Sequence, residues 1–283
     1  MKTLLLKSYA KVNVGLRIIN KRNDGFHNIN SLFQELDFYD TIELKKIHSG
    51  CEFNTNVNWL NNNESNLCIK AWKKLSENFS IDGISINLNK KIPPGSGLGG
   101  GSSNAATIIK GICNLFQIKL SNEELKQIAM QIGADVPFFI NGGLQQATGI
   151  GEKLLSISGS IKGTYLLVIP DINISTVWAY DTYDKKFLHL PKDEVKFASF
   201  LEGGEEPFKF FENDFESIVV PAYPEIGKVL KILRGRKPKY ASLSGSGSTV
   251  YGIFDEEAEA KYAESIIPVA YNTYIVKPIS TKL

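Results

Sequence analysis

The run Pro93-Pro94-Gly95-Ser96-Gly97-Leu98-Gly99-Gly100-Gly101-Ser102-Ser103 places five glycines and three serines in eleven residues. Glycine lets the backbone approach a ligand closely and take positive φ. The amides of such a turn can converge on an anion. Directly after it, Ala105, Ile108, Ile109, Ile112 and Phe116 fall on one helical face. A helix starting there adds N–H groups and the positive end of its dipole. Ser102 and Ser103 add hydroxyls for phosphate oxygens or a magnesium ion. The segment reads as a phosphate-binding device. Gly95-x-Gly97-x-x-Gly100 also satisfies the dinucleotide fingerprint, but the acidic residues about 20 positions on, Glu123 and Glu124, stand in a helix-capping position instead. A Walker loop is excluded because no Gly-Lys-Ser/Thr occurs. A flexible linker is opposed by the strong elements on either side.

Other residues have types suited to the same chemistry. Asp135, in Gly133-Ala134-Asp135-Val136-Pro137, follows a helix stop and precedes an expected strand. A carboxylate there can accept an alcohol proton as a phosphoryl group arrives; the alternative is a turn aspartate that satisfies local amides. Lys11 interrupts an apolar strand, either as an edge residue in solvent or as a cation stabilising charge in flight. Asn13 shares its strand face. Phe26 and His27 follow the turn signal Asn23-Asp24-Gly25 and can project from it.

The elements that must position these groups mix strands and helices. Residues 3–19 read as one or two strands and 29–47 as further strands, interrupted near Tyr39-Asp40; 54–63 is an Asn-rich loop. Leu67, Ala71 and Leu75 predict a helix over 66–79, and the alternation of Ile84, Ile86 and Leu88 a strand over 84–91. A capping box at Ser121 opens a second helix that ends at Gly133. Residues 136–140 read as a strand. Dense Gly and Ser suggest a boundary near 150–163, dividing an ATP-binding and catalytic domain (1–155) from a substrate domain (156–283). Beyond it, a strand at 165–169 precedes helical patterns at about 175–184, 191–201, 213–219 and 224–234. Strands near 240–243 and 248–254 flank Ser244-Gly245-Ser246-Gly247, and a helix at 255–266 and a strand at 272–278 finish the chain. The class is α+β.

Composition sets the bounds. With 32 basic and 30 acidic residues the chain carries no general polyanion-binding charge, so nucleic acid is not expected as a partner. Three cysteines, Cys51, Cys68 and Cys113, are widely spaced and odd in number, which argues against a disulfide framework or zinc site and for a reducing cytosol. Leu4-Leu5-Leu6 is too short for a signal segment, and no run approaches the ~20 apolar residues of a membrane span. A cytoplasmic protein without a membrane partner is expected. The sequence carries no sign of oligomeric state, and no acidic magnesium ligand stands out.

Residues 93–103 resemble the central phosphate motif of the galactokinase–homoserine kinase–mevalonate kinase–phosphomevalonate kinase (GHMP) superfamily. Ala10-Lys11-Val12-Asn13 resembles its N-terminal motif, and Ser242-Leu243-Ser244-Gly245-Ser246-Gly247-Ser248 its third. Lys21-Arg22-Asn23-Asp24-Gly25-Phe26-His27, Ser31-Leu32-Phe33-Gln34 and residues 133–137 narrow the likeness to the 4-diphosphocytidyl-2-C-methyl-D-erythritol kinases. The resemblance spans roughly residues 8–254. It implies a two-domain fold, with an N-terminal domain like ribosomal protein S5 domain 2, a ferredoxin-like C-terminal domain and an active site between them. It implies ATP with magnesium as cofactors and a small-molecule, cytidine-diphosphate-linked polyol as substrate. It makes Asp135 the base, with Lys11 beside it, and gives Asn13 a substrate contact. Phe26 would stack on the cytosine where the family usually has Tyr, His27 would contact the base, and Tyr180 with Thr176 would complete that subsite. Asn66 and Lys90 would contact the nucleotide; a helix-cap Asn and a solvated Lys are the ordinary alternatives. The competing readings are another GHMP kinase acting on mevalonate, homoserine or a sugar, a dinucleotide-binding oxidoreductase, and an S5-like nucleic-acid binder.

Overall fold

The computed structural model describes residues 3–60, 63, 65–187, 208 and 211–281. The expected helix at 191–201 lies outside them. The chain forms two compact units that interleave along the sequence. The first comprises residues 1–10, 38–94 and 99–142, the second 11–37, 95–98 and 143–283. Two long strands, β1 (Thr3–Lys21) and β2 (His27–Lys46), contribute to both.

In the first unit, β4 (Gly83–Asn89) pairs antiparallel with residues 41–46 of β2 and parallel with β3 (Gly50–Thr55). The alternating Ile84, Ile86 and Leu88 are buried, as the period of two requires. The helices are α1 (Leu67–Ser76), α2 (Gly100–Phe116), α3 (Asn122–Met130) and α4 (Phe138–Asn141). The predicted face of α2 is buried at Ala105, Ile108, Ile109 and Ile112. Ser121 caps α3 in a complete capping box with Glu124.

Two expectations fail here. Residues 39–40 do not interrupt β2, because the carboxylate of Asp40 is fully buried and hydrogen-bonded. Residues 136–140 form no strand: they enter the short helix α4. Val136, Phe138, Phe139 and Ile140 are strand formers by propensity. Pro137 nonetheless opens a helical turn, and Lys110 Nζ donates to the carbonyls of Phe139 (2.8 Å) and Ile140 (3.3 Å). Burial of Phe138, Phe139 and Ile140 completes the override.

In the second unit, residues 29–34 of β2 pair antiparallel with β5 (Leu144–Gly149), which pairs with β6 (Lys153–Ile157). The Gly/Ser-rich stretch at 150–163 thus contains the strand β6. A four-stranded antiparallel sheet has the order β10-β7-β9-β8, from β7 (Thr164–Ile169), β8 (Tyr240–Leu243), β9 (Val250–Phe254) and β10 (Asn272–Val276). Among the described residues four helices join its core: α5 (Thr176–Phe187), α6 (Glu216–Ala222), α7 (Pro224–Arg234) and α8 (Glu257–Ser265). Tyr223 separates α6 from α7, and Pro224 begins the latter, where a missing N–H costs nothing. Among the described residues no helix is long and apolar enough to cross a membrane.

Candidate active site

Within the second unit, three separate sequence motifs meet. The backbone N–H of Lys11 donates to the carbonyl of Leu98 (2.9 Å). The N–H of Asn13 donates to Ser244 Oγ (3.4 Å), which in turn donates to the carbonyl of Gly97 (2.7 Å). The N–H of Thr249 donates to the carbonyl of Ser96 (3.2 Å). Tyr251, fully buried in β9, donates its hydroxyl to the carbonyl of Asn13 (2.6 Å). Strand, glycine loop and distal turn are therefore one hydrogen-bonded assembly.

Glycine is required at its centre. Gly97 has φ +77°, and a Cβ there would strike the carbonyl oxygen of Ser244. Gly245 and Gly247, with φ +59° and +87°, form the turn between β8 and β9.

Lys11 is not a solvent-edge residue: it is buried. Its Nζ donates to Asn13 Oδ1 (2.6 Å) and lies 4.5 Å from the Phe33 ring centroid. Asn13 Nδ2 donates to Ser31 Oγ (3.0 Å), and Ser31 Oγ donates to the carbonyl of Gly15 (2.6 Å). A buried cation is thus held in one orientation through a relay that ends on the backbone.

The loop divides its labour. Leu98 is a core residue. Gly95, Gly97 and Gly99 take positive φ alternately, and Gly99 is the left-handed N-cap of α2. The helix begins at Gly100, so Gly100, Gly101, Ser102 and Ser103 form its first turn; the N–H of Ser103 donates to the carbonyl of Gly99 (2.9 Å), and those of Gly100, Gly101 and Ser102 precede the first intrahelical bond. Ser103 is buried and accepts from Ser8 Oγ (2.8 Å). That leaves Ser102, half-buried, as the hydroxyl suited to a ligand. Ser96 is buried, whereas Pro94 and Gly95 are exposed. Pro93 enters the loop half-buried.

In the first unit, Asp135 lies in the turn between α3 and α4, half-buried, with Val136 N–H closing onto the carbonyl of Gly133 (3.1 Å). Asn66 caps α1, its Oδ1 accepting from the Cys68 N–H (2.9 Å). Lys90 is not a solvated lysine. Its Nζ pairs with Asp40 Oδ2 (2.5 Å) and donates to Asn104 Oδ1 (3.1 Å). Sequence reasoning missed Asp40 and Asn104. Their partners lie 50 and 14 residues away in sequence, and no local pattern announces the first pairing.

The second unit also builds the aromatic corner. Phe26 is 57% exposed. The ring of Tyr180 stacks on His27 at 4.5 Å and 13°, rather than standing open for a base. It also meets Phe215 edge-on at 4.9 Å. Asp184 accepts from His27 Nε2 (2.7 Å) and Lys21 Nζ (2.7 Å). Burial works to raise its pKa, but those two hydrogen bonds prevail and hold it below the ordinary carboxylate value. Asp184 was also missed, although it stands one helical turn after Tyr180 on α5. Thr176, first residue of α5, has its hydroxyl 3.2 Å from that of Ser246 in the distal turn.

Among the described residues no three His, Cys, Asp or Glu side chains stand together as a metal site. The half-buried hydroxyl of Ser102 is a single oxygen donor of the kind magnesium takes alongside substrate phosphates.

Comparisons with known proteins identify the family. Residues 66–143 match the family model described as GHMP kinases N terminal domain, and residues 200–270 match GHMP kinases C terminal. A protein of Pelodictyon phaeoclathratiforme named 4-diphosphocytidyl-2-C-methyl-D-erythritol kinase is 40% identical, with 98% of each chain covered. A Chlorobaculum tepidum protein of the same name is 37% identical over 94% of each. The crystal structure of a 4-(cytidine 5'-diphospho)-2C-methyl-D-erythritol kinase superposes with a TM-score of 0.83 at 27% identity, covering 97% of this chain and 99% of that one. Homoserine kinase from Cytophaga hutchinsonii, at 18% identity and a TM-score of 0.74 over 100% and 96%, shares the fold.

Proposed function

This chain belongs to the 4-diphosphocytidyl-2-C-methyl-D-erythritol kinases, with the two-domain GHMP kinase fold, and from that premise we propose that it transfers the γ-phosphoryl group of ATP to the 2-hydroxyl of 4-diphosphocytidyl-2-C-methyl-D-erythritol. The reaction would serve non-mevalonate isoprenoid precursor synthesis in the cytoplasm. The observation that carries this reading is the junction of Lys11-Asn13, Gly97 and Ser244 in one hydrogen-bonded assembly.

Phosphoryl transfer asks for positioning and charge stabilisation more than covalent chemistry. Residues 93–103 receive the ATP phosphates through loop amides and the first turn of α2. Ser102 would offer its hydroxyl to a magnesium ion, which would supply charge screening. Asp135 accepts the proton of the acceptor hydroxyl. Lys11, oriented by Asn13, stabilises charge on the oxygens in transfer. Asn66 and Lys90 line the nucleotide side. Phe26 stacks on the cytosine; a phenylalanine keeps the stacking face and gives up a phenol hydrogen bond. His27, Tyr180 and Thr176 complete the acceptor side.

The test offers purified protein ATP and magnesium with the cytidyl acceptor, mevalonate, homoserine or galactose, and follows ADP release. Turnover is expected with the first alone. Turnover with another acceptor and none with the cytidyl compound overturns the proposal. Asp135→Asn should lower kcat by about 100-fold or more, the range of a lost general base, with ADP affinity little changed. An active variant removes Asp135 from that role.

A further inference from the structure

Asp40 lies in β2 with a side chain wholly withdrawn from solvent, and its carboxylate is saturated. Oδ1 accepts the backbone N–H of Lys91 (2.6 Å) and of Ile92 (2.8 Å). Oδ2 accepts Lys90 Nζ (2.5 Å) and Asn104 Nδ2 (2.9 Å). Four donors fill the acceptor sites of one ionised carboxylate.

The position of those donors in the chain is the informative part. Lys91 and Ile92 are the two residues before Pro93, and Asn104 directly follows Ser103. One buried carboxylate therefore grips both flanks of the glycine loop and none of the loop itself. The network continues on the outgoing flank. Asn104 Nδ2 donates to Ser8 Oγ (2.8 Å), and Ser8 Oγ donates to Ser103 Oγ (2.8 Å). On the incoming flank, Asn56 holds Lys90 from both sides, its Nδ2 donating to the Lys90 carbonyl (3.1 Å) and its Oδ1 accepting the Lys90 N–H (2.7 Å).

Stability alone does not call for this arrangement. Apolar groups of similar volume commonly replace a buried ion pair without loss. A carboxylate adds directional restraint on particular N–H groups, with charge-assisted bonds that a hydrocarbon cannot make.

We propose that Asp40, acting with Asn104, is a positioning residue that fixes both flanks of residues 93–103, so that the loop amides are set for nucleotide phosphates before ATP arrives. The inference rests on the reading of that loop as the ATP site. Its consequence is selective: loosening the flanks adds an ordering cost to nucleotide binding and none to acceptor binding.

Two variants test it. Asn104→Ala cuts the outgoing tie while leaving the bonds from Asp40 to Lys90, Lys91 and Ile92. Asp40→Asn turns an acceptor into a donor facing other donors. For each, ADP affinity by calorimetry, KM for ATP and for the cytidyl acceptor, and amide hydrogen exchange over residues 93–104 are measured. Asn104→Ala should weaken ADP binding and raise the ATP KM about tenfold, with the acceptor KM within about twofold and exchange faster over 93–104 than in the rest of the chain. Asp40→Asn should do so more strongly; if it does not fold, Asn104→Ala decides alone. Unchanged ADP affinity and exchange in folded Asn104→Ala overturns the inference, as does an equal rise in both KM values. Failure of the unmodified protein to bind ADP overturns the reading of the loop itself, a result distinct from either of these.

Discussion

Asp40 and Asp184 each face a lysine and a second polar side chain, and they hold them in opposite ways. Asp40 has no exposed side-chain surface and spends two of its four bonds on backbone N–H groups. Asp184 keeps 12% of its side chain exposed and bonds only side chains, those of Lys21 and His27. The first arrangement fixes a stretch of chain. The second fixes one imidazole and restrains no backbone N–H. The difference fits the two substrates proposed above: triphosphate recognition by backbone amides needs a set loop, whereas a base can be met by adjustable side chains.

The sharpest separation should appear in unfolding free energy. Asp40→Ala leaves Lys90 buried without its carboxylate and should cost about 3–5 kcal/mol in denaturant titration. Asp184→Ala should cost less, since Lys21 keeps 42% of its side chain exposed and its freed ammonium can be met by water. Equal losses would break the contrast. Next in size is Phe26→Ala, which should raise the cytidyl-acceptor KM about tenfold, the worth of one base-stacking contact, with little change for ATP. Equal effects on both substrates would take Phe26 out of the base site.

Thiol labelling sharpens the picture further. Burial pushes Cys68 up to about 12, and Cys51 and Cys113 to about 11. Native protein should therefore label slowly at pH 8, Cys68 slowest. The charge of Asp40 raises the pKa of Cys68 and that of Lys90 lowers it, so Asp40→Asn should speed its labelling selectively. Uniform labelling across the three thiols would deny that the Asp40 region is tightly closed.

The smallest effect concerns acid. The folded-state pKa of Asp184 is below the ordinary 3.8, held there by Lys21 and His27 against the pull of burial. Its contribution to stability is therefore complete above 3.8 and lost as pH falls through the depressed value. Lys21, raised above 10.5 first by its hydrogen bond to Asp184, contributes below 10.5 and loses its part as pH rises through its own raised value. Asp184→Asn should flatten both slopes slightly in a stability–pH profile, leaving the neutral range nearly unchanged.

Much of the fold was legible. The glycine loop, the helix after it, the capping box at Ser121 and the strand through Ile84, Ile86 and Leu88 all follow from local rules, and each is found. Lys11 was legible as an anomaly, a charge in an apolar strand. The misreading at 136–140 came from weighing β-prone side chains above Pro137, a local signal that was present. Asp40 and Asp184 were out of reach for a different reason. Asp40 finds Lys90 50 residues away, and Asp184 meets His27 across 157. Residue type and spacing carry no trace of pairings at such separations; only the folded backbone supplies them.

The chain passes from one compact unit to the other five times, after Ala10, Asp37, Pro94, Leu98 and Gly142. No single cleavage releases either unit whole, and no truncation yields one by itself. Recombination between relatives faces the same barrier: exchanging the proposed acceptor-side residues Phe26 and His27 along with Tyr180 means transplanting at least two stretches that lie far apart in the gene. The kinase is inherited, and must be engineered, as a single indivisible piece.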